Sequence, residues 1–546
     1  MGKTKYIFVV GGVMSGVGKG ITVASIGRIL GNHGLRVSAI KIDPYINVDA
    51  GTMNPIEHGE VFVTDDGDET DQDIGNYERF LDTNILSTNY MTTGRVYQSV
   101  IEKERTMQFK GRCVQVVPHI PFEVLGRIDK AVKKTKAEVM IIEIGGTVGE
   151  YENILFLEAA RSLKLSHPDD VLFVLVSYLP IPGHLGEMKT KPTQHASRML
   201  NNSGLQADII IARGKELLDD IRREKLAFFC SLRSREDIIS APDVKNIYEI
   251  PDNFEKYNLG KIIAKKLKLK LKKKNSRPWD KFIHQMKTAK KTVKIAVVGK
   301  YFTTGSFTLS DSYISVIEAT KHAAWSCGAV AKMTWLDAEI YEKNPKKLAE
   351  LKNFDAVIVP GGFGTRGVEG IIKVIKYARE KKIPYLGLCY GMQLMSIEFA
   401  RNVLKFKDVN TVEVNPQASN LIIGINPNQK MNVKNNRYGG TMRLGAYDCE
   451  LKEGSKVRKL YGQKNISERH RHRYEFNNDF RQKVDDAGLK VVGVNKESDL
   501  VEILELKNHP FFVGVQFHPE FKSRPLHPHP LFVGLMKAAL KGPRLR

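Results

Sequence analysis

Residues 6–20 read YIFVVGGVMSGVGKG, and this stretch decides the fold of the first half of the chain. Residues 6–10 form a short apolar run rich in β-formers, the glycines after it predict a tight loop, and an apolar-periodic stretch then extends to about Gly34. This succession of strand, loop and helix predicts the first unit of an α/β domain.

The same pattern recurs along the chain. Continuous Val/Ile runs, which are typical of buried parallel strands, occur at residues 37–41, 138–144, 171–180 and 207–214. After a lysine-rich stretch the pattern begins again, with apolar runs that each end at a glycine or polar turn at residues 293–301, 354–364, 383–393 and 511–520. We therefore predict two doubly wound, mostly parallel α/β domains, over residues 1–270 and 294–546, joined by a lysine-rich linker over residues 271–293.

Length and composition exclude several classes of protein. A chain of 546 residues is too long for one hydrophobic core, and 42% hydrophobic with 27% charged residues is ordinary for a globular protein. No uncharged apolar run approaches the roughly 18 residues that cross a bilayer, and no signal-peptide pattern opens the chain. We expect a cytoplasmic protein without membrane contact. The five cysteines form no CxxC motif, which argues against a disulfide framework and a structural zinc.

The formal net charge of +23 is concentrated in one segment. Residues 261–294 hold fourteen Lys/Arg and one Asp, so the charge of the rest of the chain is moderate. Such a run is more often a solvated helix face and linker than a nucleic-acid site, and no zinc-finger, RNP or helix-turn-helix pattern accompanies it. We therefore expect no nucleic-acid partner.

A phosphate site is predicted at the first loop. GGVMSGVGKG, residues 11–20, lies between strand and helix, where backbone N–H groups and the helix dipole favour phosphate and Lys19 would reach the β- and γ-phosphates. The pattern departs from G-x-x-x-x-G-K-[ST], because its first glycine is one position early and Gly20 stands where Ser or Thr would hold magnesium. A simple tight turn is the alternative interpretation.

Metal ligands should then come from elsewhere. The acidic stretch DDGDETDQD covers residues 65–73, and Glu143 ends an apolar strand. Magnesium prefers one or two carboxylates together with substrate phosphates, so Asp73 and Glu143 are the predicted pair. Most acidic clusters are solvated loops, but an ionised Glu143 beside a buried strand needs a partner. Lys19 and Lys41 are the cations expected at a transferring phosphoryl group.

Cys389 is predicted to be a catalytic nucleophile. It lies in PYLGLCYGMQ, where an apolar strand meets a helix, and the G-x-C-x-G spacing is the thiol form of the nucleophile elbow. QFHPE supplies His518 as base and Glu520 as its orienting partner. The PGGFG turn offers oxyanion donors, Gly362 first, with the N–H of Tyr390 as second. Taken singly, these are more often an inert cysteine, a surface histidine and a plain turn.

Several segments of the first half resemble the synthetase domain of CTP synthases. They are SGVGKG, KIDPYINVDAGTMNPIEHGEVFVTDDGDETDQDIGNYERF, TTGR, EIGGTVGE and KTKPTQH. The resemblance implies a P-loop or Rossmann-like domain that uses ATP and Mg²⁺ to aminate UTP through a 4-phosphorylated intermediate, with CTP as feedback inhibitor. The implied ATP contacts are Gly16, Val17, Gly18, Lys19, Gly20, Ile21, Lys41 and Asp73, and the implied metal ligands are Asp73 and Glu143.

The implied contacts to the uridine nucleotide are Ser15, Lys189, Thr190, Lys191, Pro192, Thr193, Gln194 and Lys225, and those to CTP are Glu150, Tyr151 and Glu152. Members of the family often have Asp-Ile-Glu after TVG, where this chain has Glu-Tyr-Glu. Both sequences have an acidic residue at the first and third positions, but the side chains at the first and second positions differ, which bears on the strength of feedback inhibition by CTP.

Residues 293–535 resemble the class I glutamine amidotransferases, in the order oxyanion turn, cysteine, His-x-Glu. The resemblance implies a flavodoxin-like domain that hydrolyses glutamine through a glutamyl thioester, with Gly391 and Met392 beside the oxyanion and glutamine held by Gln393, Glu413 and Arg473. ERHRHRYEFN and GGTMRLG are particular to CTP synthases among the amidotransferases. The second half of the chain therefore resembles the same family as the first.

The family resemblance also implies regulation and assembly. GTP is an expected activator, although the neighbourhood involved, NPNQKMNVKNNRYGG at residues 426–440, is short of acidic residues here. A homotetramer, a dimer of dimers, is expected, and many members of the family form filaments.

Two other functions stay open at the level of sequence. One is an amidotransferase with a different ATP-activated acceptor, such as a carboxylate, since UTP as acceptor rests mainly on the resemblance. The other is a non-catalytic assembly or nucleic-acid-binding protein that uses the lysine-rich segment, which the predicted thiol triad disfavours.

Overall fold

The computed structural model describes residues 4–183, 186–300, 303–304, 307–308, 311–426 and 441–542. The chain folds into two compact units. The first unit comprises Met1–Ala50 and Asp73–Ile283, and the second comprises Gly51–Gln72 and His284–Arg546. A short segment from the first half of the sequence therefore belongs to the second unit.

The first unit is built on a seven-stranded sheet in which every pair of neighbouring strands is parallel. The strands follow the order Tyr90–Thr92, Val37–Asp43, Val139–Ile144, Lys5–Gly12, Val171–Tyr178, Ile209–Gly214 and Ile238–Pro242. The predicted Val/Ile runs are strands of this sheet, and Val139–Ile144 is buried at every position, as continuous apolar runs require. The doubly wound α/β prediction is confirmed for this unit.

Helices cover this sheet. Successive residues of a strand point to opposite faces, and Phe8 and Val10 share a core cluster with residues of the helices Val116–Thr135, Ile154–Ser166 and Lys191–Asn202. The other helices with residues in this unit are Lys19–Asn32, Gln72–Leu81, Thr93–Arg105, Asp220–Phe229, Ile250–Glu255, Leu259–Leu267 and Arg277–Thr288.

The lysine-rich segment is more than the predicted linker. Trp279 in the helix Arg277–Thr288 is 1% exposed, and its ring contacts those of Phe80, Tyr248 and Phe282. Residues up to Ile283 therefore group with the first unit, beyond the boundary predicted at residue 270. The sequence did not predict this packing, because the few apolar residues that anchor the helix are scattered among many lysines.

The second unit contains a nine-stranded sheet. The strands follow the order Ala329–Asp337, Lys291–Gly299, Ala356–Val359, Tyr385–Leu388, Phe512–Val515, Leu500–Leu506, Leu489–Asn495, Arg443–Leu451 and Asn465–His472. The first five are parallel and include the four strands predicted for this half. The last four form an antiparallel extension that the sequence did not predict.

Smaller elements complete the second unit. Its other strands are Val61–Val63, Glu69–Asp71, Thr303–Thr304, Phe307–Thr308, Val409–Thr411, Asn420–Ile425 and Tyr474–Phe476. Its helices are Pro55–His58, Ile314–Ser326, Ala338–Lys343, Val368–Glu380, Tyr390–Asn402, Lys456–Tyr461, Arg481–Asp486 and Pro530–Lys541. Among the described residues, no helix combines the length and apolar character that a membrane crossing requires.

The segment Gly51–Gln72 forms an antiparallel hairpin from the strands Val61–Val63 and Glu69–Asp71. Most of the acidic stretch at residues 65–73 lies in it, and Glu69 is 2% exposed. A solvated loop is therefore the wrong interpretation of this stretch, because Asp65 and Glu69 pair with Arg469 and Arg471 of the second unit. Only Asp73 belongs to the first unit.

Replacing Trp279 tests the packing of the lysine-rich segment. Trp279→Ala should lower the free energy of unfolding of the first unit by about 3 to 5 kcal/mol, the usual cost of truncating a large buried aromatic side chain. Trp279→Phe keeps an aromatic ring and should cost clearly less. Urea denaturation followed by circular dichroism measures both, and equal midpoints for wild type and Trp279→Ala would contradict the packing.

Candidate active sites

The glycine-rich loop of the first unit leads into the helix Lys19–Asn32. Gly18 is the N-cap of this helix at φ 93°, a left-handed conformation that glycine adopts without strain. The Lys19 side chain is 8% exposed, and its Nζ donates a hydrogen bond to the carbonyl of Gly146 at 2.8 Å. Burial lowers the pKa of Lys19, and the nearby Glu143 carboxylate opposes this. The helix terminus and lysine form an anion-binding arrangement.

Asp73 occupies the place that a P-loop gives to Ser or Thr. A Cβ added to Gly20 would overlap Asp73 Oδ1, so only glycine lets this carboxylate approach the helix. The ammonium of Lys41 contacts Asp73 Oδ2 at 2.5 Å and Glu143 Oε1 at 2.9 Å. The four predicted residues Lys19, Lys41, Asp73 and Glu143 therefore lie together.

Glu143 is the most deeply buried of these groups. It is 1% exposed, and besides Lys41 it accepts a short hydrogen bond from the hydroxyl of Tyr77. Burial raises the pKa of Glu143, while the positive charge of Lys41 acts in the opposite direction. Tyr77 was not predicted, and it completes the hydrogen bonding that a buried carboxylate needs.

The donor set of this cluster suits a magnesium ion. Asp73 and Glu143 offer hard oxygen ligands, and both already converge on one positive charge, the ammonium of Lys41. Asp43 Oδ2 is buried and has no hydrogen-bond partner among the described residues. The carboxylates present are therefore of the right kind and number for Mg²⁺ shared with substrate phosphates.

Two segments that contain predicted UTP or CTP residues pack against the end of the first strand. The segment that contains Glu150 is tied to the first strand, because the N–H of Val148 donates to the carbonyl of Gly11 at 2.8 Å. The helix that contains Gln194 packs on Gly12, where an added Cβ would lie 2.5 Å from Ala196 Cβ. Gln194 Oε1 is buried without a hydrogen-bond partner among the described residues, as expected of a ligand-binding amide.

Other predicted residues of this group are more exposed. Ser15 lies in the exposed part of the loop, and Glu150 accepts hydrogen bonds from Thr147. Tyr151 is 92% exposed and Lys225 is exposed on the helix Asp220–Phe229. The remaining members of the set are Glu152, Lys189, Thr190, Lys191, Pro192 and Thr193, of which Thr190 and Thr193 are buried.

A cavity of about 190 Å³ opens beside the glycine-rich loop. It is lined by Gly18 and Ile21, which were predicted, and by residues that were not: Thr22, Arg213, Ala241, Pro242, Asp243, Val244, Ile247, Ile250, Asn253 and Phe254. Its mixed apolar and polar lining fits a planar heterocycle with hydrogen-bonding edges. Sequence reasoning missed these residues, because most of them follow two ordinary strands without a motif.

In the second unit, Cys389 stands at a sharp turn between the strand Tyr385–Leu388 and the helix Tyr390–Asn402. Its φ is 49° with ψ −97°, a strained conformation for a residue with a side chain. A Cβ on Gly391 would overlap the carbonyl oxygen of Val359, so the turn requires glycine there. This is the predicted nucleophile elbow, with Cys389 5% exposed.

His518 and Glu520 form the predicted pair beside this cysteine. His518 Nδ1 lies 2.7 Å from Glu520 Oε1, which leaves Nε2 for the thiol. Burial alone would lower the pKa of His518, but the negative charges of Glu520 and of the Cys389 thiolate raise it to about 10. A histidine with this pKa is an imidazolium at neutral pH, so a positive charge faces the sulfur of Cys389.

The oxyanion turn is held by residues on both sides. Gly364 N donates to Glu413 Oε1 at 2.7 Å, and its carbonyl accepts from the Tyr390 hydroxyl at 2.8 Å and from Lys300 Nζ at 2.6 Å. Lys300 was not predicted; burial lowers its pKa to about 8. Gly362 lines the cavity that contains Cys389. Tyr390, Gly391 and Met392 are buried in the first turn of the helix after Cys389, so we expect only their backbone groups to reach the oxyanion.

A cavity of about 360 Å³ brings the second set of predicted residues together. It is lined by Cys389, His518, Glu520, Gly362, Gln393, Glu413 and Arg473, among others. Gln393 Nε2 donates to the carbonyl of Tyr474 at 3.1 Å, and Arg473 Nη1 donates to Thr441 Oγ1 at 2.9 Å. Gln516, which was not predicted, donates to Cys389 Sγ at 3.6 Å. The thiol of Cys389, the imidazole of His518 and side chains of both charges therefore line one cavity.

Comparisons with known proteins agree with this division. Residues 5–269 match the family model described as CTP synthase N-terminus, and residues 308–538 match that of glutamine amidotransferase class-I. The chain is 49% identical to a CTP synthase of Carboxydothermus hydrogenoformans over 543 residues, covering 99% of this chain and all of that protein. It is 48% identical to a CTP synthase of Pyrococcus furiosus over 538 residues, 98% of each chain.

One similar solved structure is the glutaminase domain of a Trypanosoma brucei CTP synthase with bound acivicin. It is 34% identical to this chain, covers 46% of this chain and 96% of its own, and has a TM-score of 0.42.

The pKa of His518 predicts an unusual reactivity for Cys389. His518 remains an imidazolium up to about pH 10, so a positive charge faces the sulfur of Cys389 at pH 7, and a neighbouring cation makes a cysteine more reactive. Glu520→Gln removes the first of the negative charges that raise the pKa of His518, so alkylation of Cys389 by iodoacetamide at pH 7 should slow by roughly tenfold. Peptide mass spectrometry measures the rate at Cys389, with N-acetylcysteine as reference. An equal rate in wild type and Glu520→Gln would contradict the ion pair of His518 and Glu520.

Gly20→Ala tests the approach of Asp73. The new Cβ would overlap the Asp73 carboxylate, so MgATP affinity should fall by at least about tenfold, or about 1.4 kcal/mol. Gly31→Ala is the matched control in the same helix, since nothing lies within 4 Å of a Cβ there. Titration calorimetry measures both variants, and equal affinities would contradict the predicted role of Asp73 in binding MgATP.

Proposed function

The chain belongs to the CTP synthase family, and from this premise we propose that its two candidate sites divide one reaction between them. The protein is a ligase that converts UTP to CTP in pyrimidine biosynthesis, with ATP as co-substrate and glutamine as nitrogen donor. The proposed division rests on the different residue types of the two sites. A thiol with an acid–base pair lines a cavity of the second unit. Lysines and carboxylates converge in the first unit.

In the second unit, the Cys389 thiolate attacks the side-chain amide carbon of glutamine. The oxyanion that forms accepts hydrogen bonds from backbone N–H groups of Gly362 and Tyr390. His518 donates its proton to the amide nitrogen as the C–N bond breaks, so ammonia leaves and a glutamyl thioester remains on the cysteine. Water then hydrolyses the thioester with His518 as general base, and Glu520 keeps the imidazole oriented throughout.

The same cavity offers partners for the rest of the glutamine molecule. Arg473 suits the α-carboxylate, because a guanidinium pairs bidentately with a carboxylate. Glu413 suits the α-ammonium, and Gln393 can hydrogen-bond to either end of the substrate. All three line the cavity with Cys389, which supports a site for a small zwitterion.

In the first unit, ATP phosphorylates O4 of uracil, because an unactivated O4 is a poor leaving group. Lys19 and Lys41 stabilise the charge on the transferring phosphoryl group, and ammonia then displaces phosphate to give CTP. Mg²⁺, held by Asp73 and Glu143, would neutralise phosphate charge when bound. The cavity beside Gly18 and Ile21 suits the adenine of ATP, since it adjoins the phosphate-binding loop.

We assign the uridine nucleotide to the residues around the same loop, with Ser15, Gln194 and Lys225 among its contacts. Feedback inhibition by CTP through Glu150, Tyr151 and Glu152 is part of the proposal, and it rests on the family resemblance. GTP activation, a homotetramer that forms filaments, and a cytoplasmic location are proposed from the family resemblance. Residues 427–440, which belong to the GTP neighbourhood, lie outside the described residues.

Two substitutions separate the proposed sites. Cys389→Ala should abolish CTP formation from glutamine yet leave formation from ammonium, because only thioester formation is lost. Lys19→Ala should abolish both, since both need the phosphoryl transfer. The absorbance change on CTP formation measures each activity. Glutamine-dependent synthesis by Cys389→Ala, or either activity in Lys19→Ala, would refute the corresponding role, and glutamine hydrolysis without CTP formation in the wild type would refute UTP as acceptor.

A further inference from the structure

The hairpin Gly51–Gln72 takes part in the glutamine cavity, although none of its residues performs a chemical step of glutamine hydrolysis. Gly51, Glu60 and Val61 line the cavity together with Cys389 and His518. These hairpin residues lie more than 300 positions before the cysteine in the sequence, within the stretch that matches the N-terminal family model. The position of the hairpin in the second unit therefore suggests that it contributes to glutamine hydrolysis.

One line of contacts runs from the hairpin to the catalytic histidine. Phe62 is fully buried, and its ring meets that of Phe521 edge-on, with centroids 5.0 Å apart and planes at 60°. Phe521 is stacked on the imidazole of His518, with centroids 5.1 Å apart and planes at 16°. A ring stacked on an imidazole limits its rotation, so Phe62 supports the plane in which His518 presents Nε2 to the thiol.

A second line runs from the hairpin to the cysteine and the substrate arginine. The buried carboxylate of Glu69 accepts a hydrogen bond from Arg471 Nε at 2.8 Å. The carbonyl oxygen of Arg471 lies 4.0 Å from Cys389 Sγ, and Arg473 follows two residues later. Because a charge-assisted pair at a buried carboxylate is strong, Glu69 fixes the backbone that separates these two groups.

The hairpin is itself held firmly at several points. The Asp65 carboxylate pairs with Arg469, whose side chain is fully buried, and the Asp65 carbonyl accepts from Ala446 N at 2.9 Å. Glu60 accepts hydrogen bonds from the backbone N–H and the hydroxyl of Ser315. An added Cβ at Gly445 would lie 2.8 Å from the Asp65 carbonyl oxygen, which shows how closely the backbones approach. Such a fixed hairpin can position its neighbours.

We propose that Phe62 and Glu69 are positioning residues for glutamine hydrolysis. Phe62 orients His518 through Phe521, and Glu69 sets the position of Arg473 through Arg471. A segment from the synthetase half of the sequence thus completes the glutaminase site. The inference rests on the proposed roles of Cys389, His518 and Arg473, which the Cys389→Ala experiment tests by itself.

The test measures steady-state glutamine hydrolysis by the full-length protein. Phe62→Leu should lower kcat by roughly 10-fold to 100-fold with little change in KM, because it misplaces the acid–base group and not the substrate. Glu69→Gln should act mainly on KM for glutamine, raising it by roughly tenfold, because it loosens the strand that leads to Arg473. A purely structural role would not divide the two parameters in this way.

Two further measurements guard against misfolding. In each variant, CTP formation from ammonium should stay within about twofold of wild type, and Asp66→Asn, which removes an exposed carboxylate of the same hairpin, should leave hydrolysis within about twofold. In a double-mutant cycle, adding Phe62→Leu to Phe521→Leu should change kcat by less than about twofold, since the effect passes through Phe521.

The outcomes are distinct. Loss of both activities in Phe62→Leu and Glu69→Gln would overturn the proposal in favour of a structural role, and so would hydrolysis within about twofold of wild type in both, or independent effects in the cycle. Glutamine hydrolysis by Cys389→Ala would instead overturn the proposed function on which the inference rests.

Discussion

Ionised side chains that are buried have to be paired, and both units are arranged around this requirement. In the first unit, Lys41 and Glu143 are direct partners in the register of two neighbouring strands. Their ammonium and carboxylate therefore meet as a consequence of strand pairing, and Asp73 joins them where Gly20 leaves room. The charges of this site therefore compensate one another at the ends of the strands.

The second unit meets the same requirement with a larger network. The guanidinium of Arg443 donates to Glu502 at 2.7 Å and lies 3.4 Å from Glu475, which is two residues after Arg473. Burial raises the pKa of Glu475 to about 8 despite the positive charge of Arg443. Arg443 and Glu502 lie on strands of the antiparallel extension, and Glu475 lies on the strand Tyr474–Phe476. All three side chains are buried, so this charged network resists rearrangement.

The parallel strands and the nucleophile elbow could be predicted because their signals are local. A run such as VMIIEI is continuous and apolar, and the elbow needs small residues next to Cys389. The strand Asn465–His472 reads NISERHRH, which alone favours a solvated basic loop. It is a strand because Arg469 and Arg471 are neutralised by Asp65 and Glu69, about 400 residues earlier. No local pattern encodes such a pairing, and for the same reason the sequence missed Lys300, Gln516 and Tyr77.

The hairpin Gly51–Gln72 shows that a boundary in sequence is not a boundary in space. The N-terminal family model runs without interruption through residues 5–269, yet this stretch contains a wall of the glutamine cavity. Because both ends of the hairpin continue into the first unit, its 22 residues are held by the chain at two points and by ion pairs at others. Several independent anchors therefore hold Phe62 and Glu69 in place.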